Sequence, residues 1–286
     1  MKHFNNHSQF YDNLIVVIVL YNLDILESET YKTLLSNAHN MKELKYVLFI
    51  YDNSSKASQN ALYDSNSIYY IHDSSNPGVG KAYNSAANLG MKLNKKWILL
   101  LDQDTSFPLG ALDRYAATVA TFPQIDLFCP ILKTDRGNIF SPSIYKFQRG
   151  FQMRNICIGE NRLEKISPVN SGLLINLKLF RDVDGYNEQI PLDFSDFFFI
   201  EKVRKMIDRF VVLNIVCIHS ISNDVNSSVE SSLKRFKAYC VGSVEIGRYN
   251  GIKGILFSYL NIVLRATILT IRYKTFIFYK MLLKKR

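Results

Sequence analysis

Trp97-Ile-Leu-Leu-Leu-Asp-Gln-Asp-Thr105 is the stretch of sequence that decides the fold. Five apolar residues run without a polar break, and two carboxylates, Asp102 and Asp104, follow two positions apart. A short apolar run that ends at a turn signal is typical of a strand buried in a parallel sheet. Because residues i and i+2 of an extended chain point to the same side, both carboxylates should project together from the carboxyl end of this strand.

This pair of carboxylates has two interpretations. Two neighbouring negative charges repel each other, and hard oxygen ligands of this kind favour a bound Mg²⁺ or Mn²⁺. Open α/β sheets bind their ligands at the carboxyl ends of the strands, which favours a metal site here. The alternative is that Asp-Gln-Asp-Thr caps the helix expected to begin near Pro108, as Asp and Thr often do.

Apolar segments rich in β-branched residues precede Trp97 and alternate with helical segments. Strands are predicted over residues 14–20, 44–51 and 67–71, and helices over 27–38 and from the turn at 76–80 to residue 91. This alternation predicts βαβ units and therefore an α/β fold with a mostly parallel sheet. Right-handed crossovers should bring the loops after these strands to one edge, where they would line a crevice of nucleotide size.

Composition narrows the class of protein. A chain of 286 residues with 48% hydrophobic content can bury a substantial core. Its four cysteines are scattered without a Cys-x-x-Cys pair, which argues against a disulfide framework or a zinc site and indicates a reducing compartment. The first apolar run is only seven residues long and no small-residue cleavage site follows it, so a secretory signal is not expected.

The positive charge lies almost entirely at the C-terminus. The net charge is +10, and nine Lys or Arg residues but no acidic residue follow Glu245. Nucleic-acid binders spread cations over a recognition face, whereas residues 1–245 are nearly neutral, so no nucleic-acid partner is expected. Residues 255–264 form an uncharged run of ten residues, shorter than the ~20 that span a bilayer. The tail is therefore predicted to lie on an anionic membrane surface as an interfacial helix, and the alternative is an ordinary helical subdomain with solvated charges.

Four segments carry a resemblance to a known family. They are Val-Leu-Tyr-Asn at 19–22, Tyr-Asp-Asn-Ser-Ser at 51–55, Asn-Pro-Gly-Val-Gly-Lys-Ala-Tyr-Asn at 76–84 and Leu-Leu-Asp-Gln-Asp-Thr at 100–105. Their order and spacing resemble the family 2 inverting glycosyltransferases of GT-A fold. Within that family the chain most resembles the bacterial rhamnosyltransferases of O-antigen synthesis, whose metal motif often reads Asp-Gln-Asp-Ser/Thr.

The resemblance covers roughly residues 12–222 and implies a domain organisation. A GT-A nucleotide-diphospho-sugar transferase domain, with a Rossmann-like sheet flanked by helices, is expected over 1–222. Its nucleotide-binding half would span about 12–106 and its acceptor half about 107–222. A mobile loop, near 223–232, and a C-terminal amphipathic, helical, membrane-associating region would occupy 223–286.

The resemblance also implies which residues bind the donor, a dTDP- or UDP-sugar. Tyr21 and Asp52 would contact its base and ribose. The other residues expected at the donor are Asn76, Gly80 and Asn84 around the nucleotide, Asp102 near the ribose and metal, and Ser171 and Gly172 beside the transferred sugar. Asp104 would hold Mg²⁺ or Mn²⁺ on the diphosphate, with Asp102 as a second ligand. His219, after the predicted last strand at 210–218, would be a third ligand or else a structural histidine.

A second motif, Pro-Leu-Asp-Phe-Ser-Asp-Phe-Phe at 191–198, resembles the catalytic loop of the rhamnosyltransferase group. Asp193 and Asp196 match its two aspartates and Arg204 can match its arginine, whereas Phe198 stands where an acidic residue is common. Inverting transfer needs a base that takes the proton of the acceptor hydroxyl. Asp196 is the candidate base and Asp193 its rival, although Asp193 could instead N-cap the following helix.

The resemblance implies a cytosolic, peripheral enzyme on the inner bacterial membrane. It would move L-rhamnose from dTDP-rhamnose onto a lipid-linked oligosaccharide. Two alternatives are a haloacid-dehalogenase-like phosphatase, whose nucleophile motif resembles Leu-Leu-Leu-Asp-x-Asp-Thr, and a non-catalytic basic membrane-binding module. The stretch 134–165, predicted to be irregular and rich in arginine, is interpreted as a solvated excursion or as a loop on the acceptor side.

Overall fold

The apolar runs of the first half form the parallel part of a mixed sheet in the computed structural model, which describes residues 8–35, 44–59, 66–220 and 228–283. The strands are β1 (Leu14–Leu20), β2 (Val47–Asp52), β3 (Ile68–His72) and β4 (Trp97–Asp102). They lie in the order β4-β1-β2-β3, and all neighbours are parallel. Every residue of β1 and β2 is buried, which explains why these strands are continuously apolar.

The sheet continues on the other side of β4. The further strands are β5 (Thr105–Ser106), β6 (Leu127–Thr134), β7 (Ile139–Ser141), β8 (Ser143–Lys146), β9 (Arg149–Phe151), β10 (Gly159–Arg162), β11 (Ile166–Ser167), β12 (Leu173–Asn176) and β13 (Arg209–His219). The main sheet runs β10-β13-β6-β12-β4-β1-β2-β3, with β5 and β7 attached at its margin. β12 is antiparallel to both of its neighbours, and β13 is parallel to β6. The predicted α/β fold with a mostly parallel sheet is confirmed.

The interpretation of residues 134–165 as irregular is wrong. This stretch contains β7 to β10, and β8 and β9 form a second, three-stranded sheet with β11. Each of these strands has only two to four residues. Strands this short are below the length at which an alternating or apolar pattern becomes recognisable in sequence.

Helices cover both faces of the sheet. They are α1 (Val79–Lys92), α2 (Ala111–Thr121), α3 (Leu177–Asp182), α4 (Ser195–Val203), α5 (Val229–Tyr249), α6 (Gly251–Tyr273) and α7 (Ile277–Leu283). Side chains of β4 divide between the two cores: Trp97, Leu99 and Leu101 pack on one face, and Ile98 and Leu100 on the other. This period of two is what an extended strand imposes on a sheet that is covered on both sides.

The predicted helix at 27–38 is replaced by shorter pieces. A 3₁₀ turn spans Ile25–Glu27 and a π-helical turn spans Tyr31–Leu35, while residues 36–38 lie outside the described residues. Hydroxyl groups bind this segment to the loop after β4: Ser28 Oγ donates to the Gln103 carbonyl (2.8 Å) and Thr30 Oγ1 to the Asp102 carbonyl (2.6 Å). These tertiary bonds fix a path that a regular helix could not follow.

The C-terminal helices pack on the sheet domain. α5 and α6 meet at Asn250 and approach closely, because a Cβ on Gly247 would lie 2.2 Å from Ser258 Oγ. One apolar cluster joins α5 to the segment 190–198, where Ile190, Phe194 and Phe198 pack with Ile246. The predicted mobile loop at 223–232 lies partly outside the described residues, and from Val229 onward the chain is helical, with Ser228 as its cap.

A pair of glycine variants tests the packing of β12 against its neighbours. Gly172 and Gly137 share φ = +79°, but a Cβ on Gly172 would lie 2.6 Å from Pro130 Cγ, whereas Gly137 has open space. Gly137→Ala should cost about 1–2 kcal/mol for the left-handed backbone alone. Gly172→Ala should cost about 1–3 kcal/mol more for overpacking. Urea unfolding of both variants measures the difference, and equal losses would contradict the close packing.

Candidate active site

Three loops that follow parallel strands meet at one edge of the sheet. The register pairs Leu20 with Asp52 and Val19 with Asp102, so the loops after β1, β2 and β4 begin side by side. The Gln103 side chain joins two of these loops, accepting from the Tyr21 N–H (2.8 Å) and donating to the Tyr21 carbonyl (3.3 Å). The prediction that these loops lie together at the carboxyl edge of the sheet is therefore confirmed, and the nucleotide-sized crevice that they would line stays a prediction.

Asp102, Asp104 and His219 converge at this edge and form what we call the Asp–Asp–His cluster. One ligand atom from each of the three lies within 4.8 Å of the others. A turn separates Asp102 from Asp104, so they converge by folding back rather than along one extended strand. The alternative that these residues cap a helix is wrong, because α2 begins at Ala111 with Gly110 as its N-cap.

The geometry of the cluster fits a divalent cation. Asp104 Oδ1 is buried and has no hydrogen-bond partner within the described part of the chain, and it lies 3.6 Å from His219 Nδ1. A buried, unpaired carboxylate oxygen is costly unless an ion or a ligand satisfies it. Two carboxylates and an imidazole are ligands that Mg²⁺ or Mn²⁺ accepts.

Neighbouring groups hold the cluster in place. The Thr105 hydroxyl lies 2.8 Å from His219 Nδ1 and 2.7 Å from Ser171 Oγ. β5 pairs Thr105 with His219 in register, so the end of β13 is fixed against the loop after β4. Burial raises the pKa of Asp102; the Asp104 carboxylate raises it too, while His219 and a hydrogen bond from Tyr83 oppose the shift.

Asp52 and Tyr21 occupy different environments at the predicted base and ribose site. Tyr21 is exposed, whereas Asp52 is buried and accepts hydrogen bonds from the Tyr70 hydroxyl (2.7 Å) and the Ser54 N–H (2.9 Å). A shallow cavity of about 260 Å³ adjoins Asp52 and also contacts Asp24. Asp24 was not singled out from the sequence, where it is indistinguishable from a turn residue.

The predicted nucleotide residues around α1 contact the loop at 186–191. Asn84 is held by this loop: its Nδ2 donates to the Tyr186 carbonyl (2.9 Å) and its Oδ1 accepts from the Tyr186 N–H (2.8 Å). A Cβ on Gly80 would lie 3.3 Å from the Asn187 carbonyl oxygen. Asn76 is left-handed, at φ = 50°, in the turn that precedes α1. These contacts give Asn84 and Gly80 a packing function, and their contact with a nucleotide stays a prediction.

Ser171 and Gly172 lie beside the cluster. Ser171 is buried, and its Oγ is 3.5 Å from the Asp102 backbone nitrogen. The Gly172 N–H donates to the Leu100 carbonyl (2.8 Å), and its own carbonyl accepts from the Tyr115 hydroxyl (2.6 Å). The Ser-Gly element is thus fixed against the carboxyl end of β4, next to the Asp–Asp–His cluster.

The catalytic-loop motif presents two carboxylates in different settings. Asp196 lies in the first turn of α4, and its Oδ1 accepts from the Phe197 N–H (2.7 Å). The pKa of Asp196 is raised to about 7, mainly by burial and also by the nearby Asp102 and Asp193 carboxylates, against hydrogen bonds from backbone N–H groups. A carboxyl group with a pKa near neutrality is suited to take up a proton.

Asp193 is not the helix cap. Phe194 occupies the N-cap position of α4 with φ = 74°, and no side chain caps the helix. The Asp193 carboxylate instead lies 3.7 Å from the Arg235 guanidinium of α5. Phe198, at the position where the resembled motif is often acidic, packs in the cluster with Phe194 and Ile246.

A cavity of about 510 Å³ opens beside this loop, and we call it the Asp196 cavity. Its walls come from the segment 134–152, from residues 193–197 and from the helices α5 and α6. The polar and charged side chains of the lining include Arg149, Asp193, Asp196, Tyr239, Asn261 and Arg265. Arg265 is one of the nine cations after Glu245, which the sequence predicts to lie at a membrane surface. Its contribution to this cavity had no signal in the sequence, because it depends on how α6 docks.

Comparison of the sequence with known proteins finds no matching family model and no matching curated protein. Solved structures do match in fold. Residues 1–349 of TarS from S. aureus superpose with a TM-score of 0.54 at 17% identity, over 82% of this chain and 65% of that one. The chain thus spans slightly less than two thirds of that structure's length.

Two other structures agree. The mannosyltransferase PcManGT from Pyrobaculum calidifontis, in complex with GDP-Man and Mn²⁺, gives a TM-score of 0.51 at 12% identity, over 96% of this chain and 82% of that one. GalNAc-T7 with UDP, GalNAc and Mn²⁺ gives 0.51 at 10% identity, over 73% of this chain and 44% of that one. These likenesses show that the protein has the GT-A glycosyltransferase fold.

Proposed function

We propose that this protein is a metal-dependent inverting glycosyltransferase that moves a sugar from a nucleotide-sugar donor to an acceptor hydroxyl. The observation that carries the proposal is the Asp–Asp–His cluster, with the unpartnered Asp104 oxygen, at the carboxyl edge of a GT-A sheet. Proteins of similar fold have been solved with UDP-GlcNAc and with GDP-Man and Mn²⁺. The same chemistry would suit a donor in this crevice.

On the donor side, Asp102, Asp104 and His219 would hold Mg²⁺ or Mn²⁺. The bound ion would neutralise the nucleoside diphosphate as it leaves. Tyr21 and Asp52 would contact the base and ribose. Tyr21 directly follows β1 and Asp52 ends the neighbouring strand β2, so both lie at the same edge of the sheet. Ser171 and Gly172 would adjoin the transferred sugar, since they lie next to Asp102 on the acceptor side.

On the acceptor side, Asp196 would act as the general base. Its carboxylate would accept the proton of the acceptor hydroxyl as that oxygen attacks the anomeric carbon, and the bond to the leaving diphosphate breaks. The Asp193 carboxylate is engaged in an ion pair with the Arg235 guanidinium, which supports Asp196 as the base. The Asp102 carboxylate influences the pKa of Asp196, so the donor and acceptor groups are within electrostatic range.

The finer specificity that we propose follows the motif resemblance. The donor would be dTDP-rhamnose, the transferred sugar L-rhamnose, and the acceptor a lipid-linked oligosaccharide of O-antigen synthesis. The enzyme would then belong to family 2 and work as a peripheral protein at the cytoplasmic face of the bacterial inner membrane. The Asp-Gln-Asp-Thr and Asp193-to-Asp196 motifs support this assignment.

We also propose that α6 is the membrane contact. Among the described residues, α6 is the one helix whose length and composition would allow it to cross a bilayer. One face of α6 is anchored to the protein: Asn261 Nδ2 donates to the Phe147 carbonyl (2.9 Å) and Ser258 Oγ to Gln148 Oε1 (3.0 Å). The helix could not cross a bilayer without losing these contacts, so it should lie along the surface.

The opposite face of α6 is apolar and exposed. Its exposed side chains include Ile252, Leu256, Tyr259, Leu260, Val263 and Ile271. At 100° per residue they fall within a sector of about 120° and form one stripe. Such a stripe, together with nearby cations such as Lys253 and Lys274, fits the headgroup region of an anionic bilayer.

Asp104→Asn should abolish metal-dependent binding of the donor nucleotide and leave the fold intact. The variant removes one negative charge from the cluster and replaces one carboxylate oxygen by an amide NH₂ group, which cannot coordinate a cation. Calorimetric titration with dTDP and with UDP, each with and without Mn²⁺, measures the effect. Asp12→Asn is the matched control, because Asp12 is exposed and precedes the amino end of β1, away from the cluster. Unchanged Mn²⁺-dependent affinity in Asp104→Asn would refute the metal site.

Asp196→Asn should retain nucleotide and metal binding but lose transfer by ~10² to 10⁴. In the unsubstituted protein, kcat/KM should rise about tenfold per pH unit up to about pH 7 and then level off, because only the ionised carboxylate accepts a proton. Transfer from dTDP-rhamnose, followed over pH 5 to 9, tests both. If Asp193→Asn is inactive while Asp196→Asn is active, Asp193 is the base instead.

Membrane binding is tested with the exposed stripe of α6. Ile252→Ser, Leu256→Ser and Ile271→Ser together should reduce sedimentation with phosphatidylglycerol vesicles at least about tenfold, because each side chain loses apolar burial. The control combines Leu109→Ser, Ile158→Ser and Met206→Ser, three equally large, exposed apolar residues outside α6. The membrane contact is wrong if the unsubstituted protein stays in the supernatant at low salt.

A further inference from the structure

The Asp196 cavity has a charge distribution that the proposed transfer of a sugar to a neutral hydroxyl does not require. Its lining contains two carboxylates, Asp193 and Asp196, and two guanidinium groups, Arg149 and Arg265. Its volume of about 510 Å³ is in the range of small-molecule sites. Aromatic and amide side chains, among them Phe140, complete the lining, as suits a sugar-sized ligand.

The two arginines come from separate elements that are locked together. Arg149 begins β9, directly after the turn at Phe147 and Gln148, and Arg265 lies one helical turn after Asn261 on α6. The bond from Asn261 to the Phe147 carbonyl joins that turn to the helix. The packing of this turn against α6 therefore brings the two positive charges to one cavity.

Among the residues that the structure describes, no carboxylate neutralises either guanidinium. Within the described ranges, no carboxylate lies within 4.0 Å of Arg149 or Arg265. Arg265 instead approaches the Tyr239 ring, at 5.8 Å from its centroid. The pKa of Tyr239 is raised by burial, whereas both arginines act to lower it, so both charges lie within electrostatic range of this one side chain.

Two buried polar groups in the lining also have no partner. Gln148 is only 4% exposed; its Oε1 accepts from Ser258, but its Nε2 has no hydrogen-bond partner among the residues described. The Thr134 hydroxyl is likewise buried and unpartnered within those residues. Buried polar groups are almost always satisfied in native proteins, so these two atoms leave hydrogen-bonding capacity unused close to the cavity.

We propose that the Asp196 cavity binds the acceptor and selects one that carries an anionic group, a phosphate or a carboxylate, close to its reactive hydroxyl. This inference rests on the proposed function and names the class of acceptor. Arg149 and Arg265 hold the anion, because guanidinium groups bind phosphate and carboxylate through paired N–H donors. The hydroxyl of the same molecule then lies toward Asp196, which lines the same cavity.

The position of the cavity beside α6 indicates how such an acceptor enters. Ile268 lines the cavity and is itself exposed, and it lies on the helix that carries the apolar stripe. The anion could be the phosphate of a lipid headgroup or a charged group on a soluble sugar. Both present the same chemistry to the two arginines, and the experiment separates them.

The test measures binding to the full-length protein with the donor site filled by dTDP and Mn²⁺. The free probes are N-acetylglucosamine 1-phosphate, glucuronic acid and glucose, and the lipid probe is polyprenyl-diphosphate-linked N-acetylglucosamine in vesicles. The anionic free probes or the lipid probe should bind at least about tenfold more tightly than glucose, since bonds to charged groups are the stronger ones. Arg149→Gln and Arg265→Gln should each remove this preference.

Controls make the outcome specific. Arg181→Gln changes an exposed arginine that pairs with the adjacent Asp182 and does not line the Asp196 cavity. This variant should bind all probes normally. Unaltered dTDP and Mn²⁺ affinity in the two cavity variants shows that they remain folded. If the lipid probe alone is preferred, the anion is a lipid phosphate; if free probes bind as well, it is a soluble charged sugar.

Two results overturn the inference: glucose bound as tightly as every anionic probe, or anionic binding unchanged in both arginine variants. Failure of the proposed function looks different. In that case dTDP and Mn²⁺ would not bind, whereas the arginine-dependent preference for anionic probes, measured without nucleotide, would persist.

Discussion

The convergence of Asp102 and Asp104 is the constraint on which the rest of this structure depends. Two carboxylates held together in a partly buried turn repel each other, so several hydrogen bonds are needed to keep them there. Thr30, Gln103 and Thr105 fix the backbone of that turn, and the antiparallel strand β12 brings Ser171 against it. β13, which comes last in the sheet domain, supplies His219 to the same place. A site that gathers residues from positions 102 to 219 needs the whole mixed sheet.

Most of the donor half could be predicted from the sequence because local and global signals agree there. Buried parallel strands are continuously apolar, and polar residues directly after them must lie at one edge. The loops after Leu20, Tyr51 and Leu101 follow from this rule alone, and the register confirms that they are neighbours. The rule does not give the turn between Asp102 and Asp104, which depends on hydroxyl groups of the segment 28–30.

The acceptor half was less predictable for physical reasons. Its strands β7 to β11 are too short to carry a pattern, and their positions depend on contacts with the C-terminal helices. The helix period showed that α6 is amphipathic but not which face meets the protein. Charge alone suggested that Arg265 faces a membrane, whereas packing of Ser258 and Asn261 against the β8–β9 turn directs that side of α6 into the cavity. The function of a residue on α6 depends on whether it lies on the side of the helix that packs against the sheet domain. A pattern in a single sequence does not show which side that is.

The two faces of α6 connect features that the sequence keeps apart. Because 3.6 residues complete a turn, a helix with Asn261 and Arg265 against the cavity must present Val263 and Ile271 to the outside. The cavity wall and the apolar stripe are therefore parts of one rigid element. If the stripe lies on a bilayer, as we propose, the arginines are held at a fixed depth relative to the lipid headgroups. The same helix that recognises an anion would then also determine how far from the membrane that anion can lie, so that attachment and acceptor choice are set by one packing interaction.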